Sequence, residues 1–123
     1  MDSAAVLIAA ASGRALAASA RRGGYRPLVV DFFGDQDTLA VAEAHVRLGG
    51  ELRDGIAEPE LMAAFEELAA AHSPCGAVCG TGFEDRPHVL AAVARRWRVF
   101  GNGADAIAGV KDPACLAAPK PGF

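Results

Sequence analysis

The sequence predicts an α/β fold, a Rossmann-like three-layer α/β/α sandwich around a mainly parallel sheet of about five strands. Three observations predict it. Strand and helix signals alternate along the whole chain. The strand signals are continuous apolar runs, as buried parallel strands show, rather than the one-in-two alternation of a half-exposed sheet. Each run ends in small or glycine-containing turns that lead into helical periodicity.

Ala5-Val6-Leu7-Ile8-Ala9-Ala10 reads as the first strand, bounded by the turn Ala11-Ser12-Gly13. Arg14 to Arg22 reads as a helix with Leu16, Ala17 and Ala20 on one face, and Gly23-Gly24 supplies its left-handed stop. The second strand runs from Pro27 to Phe33 and is followed by Gly34 and the acidic loop Asp35-Gln36-Asp37. Thr38 to Ala44 is a short helix that Asp35 or Asp37 is placed to cap. A weak third strand spans His45 to Gly49, and a loop covers Gly50 to Ala57. Pro59 suits the first turn of the next helix, whose apolar stripe is Leu61, Phe65, Leu68 and His72, before Ser73-Pro74 ends it. Gly76 to Gly80 is the fourth strand and Thr81-Gly82-Phe83-Glu84 the loop at its end. Asp85 is expected to cap a helix with Pro87 in its first turn and Val89, Val93 and Trp97 on its inner face. Arg98-Val99-Phe100 is the fifth strand, ending at Gly101-Asn102-Gly103, and a last helix runs from Ala104 to Val110 with Asn102 as its cap. The expected division is a Rossmann-like domain over 1–110 and the start of a further region over 111–123.

Composition narrows the function. Of 123 residues 52% are hydrophobic, which argues against long disorder. The net charge of −3 and pI near 5.5 lack the basic footprint of a nucleic-acid binder, so no nucleic-acid partner is expected. The apolar stretch Ala4 to Ala11 is far short of the roughly 20 residues that cross a bilayer. It also follows Asp2 without a basic segment, so neither a membrane partner nor a signal peptide is expected. Cys75, Cys79 and Cys115 are too few and too odd for a disulfide framework, which points to a cytoplasmic home.

In open parallel sheets ligands bind beyond the carboxyl ends of the strands. Four loops qualify here: Ala11 to Arg14, Asp31 to Asp37, Gly80 to Asp85, and Gly101 to Gly103. The first leads into a helix N-terminus, where free N–H groups and the dipole favour an anion and Arg14 would add charge; an ordinary small-residue turn reads the same way. Asp31 sits where dinucleotide folds place an acid for a ribose hydroxyl, or is a loop acid that caps the next turn. The stretch Gly80 to Pro87 offers two glycines, the Thr81 hydroxyl and the Glu84 carboxylate, or is a plain turn in which Asp85 caps and Phe83 packs. Cys75 and Cys79 are three residues apart with no second pair, and His45, His72 and His88 are scattered, so no metal site is expected and Cys79 reads as a small core residue. No nucleophile elbow, zinc helix motif or P-loop occurs. A receiver domain is disfavoured, because the first and third strands end in Ala9-Ala10-Ala11 and Leu48-Gly49-Gly50 rather than in acids.

In their order along the chain, Val6 to Arg14, Val30 to Thr38, Gly80 to Pro87, Phe100 to Gly103 and Lys111-Asp112-Pro113 resemble the N-terminal, pre-ATP-grasp domain of an ATP-grasp ligase. The resemblance runs from Val6 to Pro113, and it is to the carbamoyl-phosphate-synthase-like and carboxylate–amine ligases. It implies a domain that contacts a small-molecule acceptor through Ser12, Gly13, Arg14, Thr81, Gly82, Phe83 and Glu84, with Asn102 beside them. It implies ATP and magnesium for the full-length protein, held by the remaining ATP-grasp domains of the same polypeptide and not by this chain. The chain is therefore expected to be an excised or truncated piece, inactive in ligation alone, with no catalytic residue of its own. The competing expectations are a stand-alone nucleotide or metabolite sensor, and an interaction domain that dimerises through a sheet edge or an exposed Trp97.

Overall fold

The computed structural model describes residues 4–83 and 85–102. Five strands form one sheet in the order β3-β2-β1-β4-β5, every neighbouring pair parallel. They are β1 (Ala5–Ala9), β2 (Arg26–Asp31), β3 (Ala44–Arg47), β4 (Ala77–Cys79) and β5 (Val99–Asn102). The connecting helices are α1 (Arg14–Arg22), α2 (Gln36–Val41), α3 (Glu58–His72) and α4 (Pro87–Arg96), with a 3-10 turn at Leu52–Asp54 before α3. The alternation and its order are those the sequence predicts.

The pleat divides the core in two. Ala5, Leu7 and Ala9 of β1 point to one face with Leu28 and Val30 of β2 and Ala77 and Cys79 of β4; there they meet Leu61, Phe65 and Leu68 of α3 and Val89 and Val93 of α4. Val6, Ile8, Val29 and Val78 point to the other face and pack on Leu16, Ala17 and Ala20 of α1. This two-sided burial is why β1, in the centre, is apolar without interruption. Phe65 is the largest fully buried side chain, and Trp97 meets it edge to face with ring centres 5.4 Å apart. Arg96 lies over the same indole and pairs with Glu66. Trp97 is thus half-buried and engaged just past the end of α4, not the exposed assembly surface the sequence suggested.

Several boundaries differ from expectation, for local reasons. β2 stops at Asp31 because the Asp31 carboxylate accepts the Gly34 N–H at 3.0 Å and Gly34 turns to φ +53°, which leaves Phe33 outside the sheet and 47% exposed. α2 ends at Val41, and β3 begins at Ala44 and ends at Arg47 rather than at Gly49. β5 runs through Gly101 and Asn102, which the sequence placed in a loop. Gly76 is demanded by the β4–β5 contact, since a Cβ there would stand 2.3 Å from the Phe100 ring. At α4 the residue flanking the first turn is Arg86, with no side-chain cap, so the expected Asp85 cap does not form. Pro87 opens the helix as predicted, its missing N–H costing nothing in a first turn. Cys79 is a fully buried core residue, and burial pushes its thiol up to about 12. Among the described residues no helix is long and apolar enough to cross a membrane. The expected helix over Ala104 to Val110 and the 110/111 boundary lie outside the described residues.

Candidate functional site

In the sheet order, the chain leaves β1 to one side for β2 and β3, and returns on the other for β4 and β5. The crevice between the loops after β1 and β4 is the switch point at which folds of this kind place ligands. Backbone bonds fasten its walls. Ala11 donates to the Thr81 carbonyl at 2.8 Å, Phe32 donates to the Ala11 carbonyl at 3.3 Å, and Gly80 donates to the Ala9 carbonyl at 2.8 Å. Gly82 has φ +108°, and a Cβ on it would come within 3.1 Å of Ile56 and 3.3 Å of the Ala11 nitrogen. Only glycine lets the β4 loop lie this close to the β1 loop.

Ile56 is fully buried and belongs to the loop between β3 and α3, so a third segment closes against the crevice. Arg86 fastens that segment by donating to the Asp54 carbonyl, with its guanidinium laid over Gly55. Neither Ile56 nor Arg86 was singled out from the sequence, because a loop 30 residues upstream gives no linear sign that it returns to the β4 loop.

Beneath the β1 loop sits Asp31, with no solvent exposure. Its Oδ2 accepts the Gly13 N–H at 2.8 Å. Its Oδ1 accepts the Gly34 N–H at 3.0 Å and lies 2.7 Å from His45 Nε2. A buried carboxylate needs such company, since an unpartnered one is among the most costly groups to bury. Asp31 is therefore not a free ribose acid: it caps the turn to Gly34, as the second reading of it expects, and ties that turn to Gly13 and His45. Gly13 is itself fixed, because a Cβ there would lie 2.6 Å from Val29 Cγ1. His45, which the sequence left as one of three scattered histidines, is 14 residues from Asp31 and reaches it through the β2–β3 pairing.

The acidic loop behaves as anticipated at one residue. Asp35 caps α2, accepting from the Thr38 N–H at 2.9 Å and the Thr38 hydroxyl at 2.8 Å. The Thr38 backbone bond, then its hydroxyl, and then the Arg14 and His45 charges hold the Asp35 carboxyl below its ordinary value. Arg14 is exposed and lies 3.7 Å from Asp35 and 3.8 Å from Asp37.

Of the residues expected to touch substrate, Ser12, Arg14 and Thr81 are exposed on the two facing loops, and Gly13 and Gly82 shape the backbone between them. Phe83 is 5% exposed and packs in the core, the alternative its loop left open. Glu84 lies outside the described residues. Asn102 ends β5 and pairs with Cys79, one strand beyond the crevice. Among the described residues there is no group of three or more His, Cys, Asp or Glu side chains that could hold a metal ion.

No family model matches the chain, and no curated protein sequence matches it. Solved structures do, among them two of N5-carboxyaminoimidazole synthetase from Staphylococcus aureus, one of them complexed with ADP. In each case the TM-score is 0.53 and the identity 21%, and the match covers 87% of this chain and 26% of the synthetase. The chain spans about a quarter of the length of the synthetase and shares the fold of that part.

Proposed function

We propose that this chain is the N-terminal, substrate-contacting domain of an ATP-grasp ligase of the carboxylate–amine or a related class, and that it does not catalyse ligation by itself. The observation that carries the reading is the fold match, which takes in nearly all of this chain and only a minor part of a synthetase that is an ATP-grasp ligase. Ser12 and Thr81 then offer hydroxyls to a small-molecule acceptor from opposite walls of the switch-point crevice. Gly13 and Gly82 keep the walls close, and Ile56 and Arg86 hold the third segment against them. ATP and magnesium belong, in this reading, to the remaining domains of the same polypeptide.

The alternative of a dinucleotide sensor is disfavoured by one observation. The acid that would receive ribose hydroxyls, Asp31, is buried and already accepts two N–H groups and faces His45.

The test begins with the gene. The reading frame is followed past codon 123, and the whole product is assayed for ADP release with magnesium and candidate carboxylate and amine substrates. Acceptor-dependent turnover by the whole product, absent from residues 1–123 alone, is expected. A stop codon directly after Phe123 would overturn the ligase reading and favour a stand-alone sensor.

A further inference from the structure

We infer that Asp31 is an internal anion at the start of α1, and that it keeps a ligand phosphate out of the crevice between the β1 and β4 loops. Folds of this class receive phosphates at the first helix N-terminus, where N–H groups and the helix dipole converge. Here a carboxylate of the chain already stands against the residue that begins this helix. Asp31 Oδ2 holds the N–H of Gly13, the residue that flanks the first turn of α1. The carboxylate is not a loose competitor: it is wholly buried, and its other oxygen is held by Gly34 and His45.

The surrounding charges act in the same direction. Arg14, the nearest exposed cation on the loop, lies between Asp35 and Asp37. On the neighbouring strand, Arg47 is spent on the Phe32 carbonyl at 2.9 Å. A phosphate approaching Gly13 would meet three carboxylates, one of them irremovable, against an Arg14 already paired and a His45 turned to Asp31. The part of an acceptor that reaches Ser12 is therefore a neutral hydrogen-bonding group or an amine, and any phosphate it carries is held elsewhere. That last statement rests on the proposed acceptor role, whereas the exclusion of phosphate stands on the geometry alone.

The experiment uses the 123-residue chain, 15N-labelled, titrated with inorganic phosphate and separately with ADP at constant ionic strength. In the unsubstituted protein the Ser12 to Ala15 amides are expected to stay in place at millimolar ligand. Asp31→Asn removes the charge and keeps one acceptor oxygen. It is expected to bind phosphate with saturable shifts at Gly13 and Arg14 and an affinity gain of roughly tenfold or more, the worth of a charge-assisted contact. The double variant Asp35→Asn, Asp37→Asn lowers the surrounding charge but leaves Asp31, and its loop is expected to remain silent; asparagine preserves the α2 cap. Saturable binding at this loop by the unsubstituted protein or by the double variant overturns the inference, as does a folded Asp31→Asn protein that binds nothing. If Asp31→Asn does not fold, Asp31→Ser, which removes the charge and keeps a hydroxyl, takes its place with the same gain expected, and a folded Asp31→Ser protein that binds nothing overturns the inference. None of these results bears on the ligase reading, which the reading frame and acceptor-dependent turnover decide.

Discussion

A carboxylate with no exposure survives at Asp31 only because each oxygen has partners, and His45 is the one partner that can be removed without touching the backbone. His45→Ala is expected to cost about 1–3 kcal/mol in urea unfolding, the usual penalty for stripping a partner from a buried polar group; unchanged stability would mean the two N–H groups suffice. At Asp35 the cap holds the carboxyl below its ordinary value of 3.8. A depressed carboxyl contributes stability above its unfolded value and loses that contribution as pH falls through the lowered folded value. Melting temperature should therefore drop as pH falls below about 4, and Asp35→Asn, which still caps, should flatten part of that drop. Cys79, raised to about 12 by burial, should resist alkylation at neutral pH in the folded protein and react on unfolding, as peptide mapping would show.

At the scale of elements, legibility followed the strength of the local signal. The α3 stripe Leu61, Phe65, Leu68 and His72 is readable from spacing; the first three are buried, and His72, in the last turn, is half-buried. Phe65→Ala should cost about 3–5 kcal/mol, because it empties the centre of one core and leaves Trp97 without its ring partner. The α4 start misled, because an acid just before a proline looks like a cap, whereas the backbone places Arg86 there and no side chain caps. Asp85→Ala should accordingly change stability by no more than about 0.5 kcal/mol, as at an uninvolved surface position. Strand ends were the least legible. What ends β2 is a side-chain bond from Asp31 to Gly34, which apolar patterning does not register.

For the molecule as a whole, the alternation of apolar runs and helices was enough to read the fold class, and the structure adds the strand order that sets the crevice. The candidate site was legible only in part. Ser12, Arg14 and Thr81 stand on facing loops because strand ends bring them there, which the fold class implies. Asp31 fills the turn-capping one of the two roles its place suggests, and His45, Ile56 and Arg86 join the site through pairings that no short window of sequence contains. The central position of β1 has a consequence for synthesis. Its β2 side is matched by residues 26–30, but its other edge pairs with residues 77–79. At a translation rate of about 5–20 residues per second, the most apolar strand of the protein leaves the ribosome with one edge bare for several seconds. Nascent chains halted before residue 77 should be the aggregation-prone and chaperone-bound species of this protein, and chains that have released Cys79 should not be.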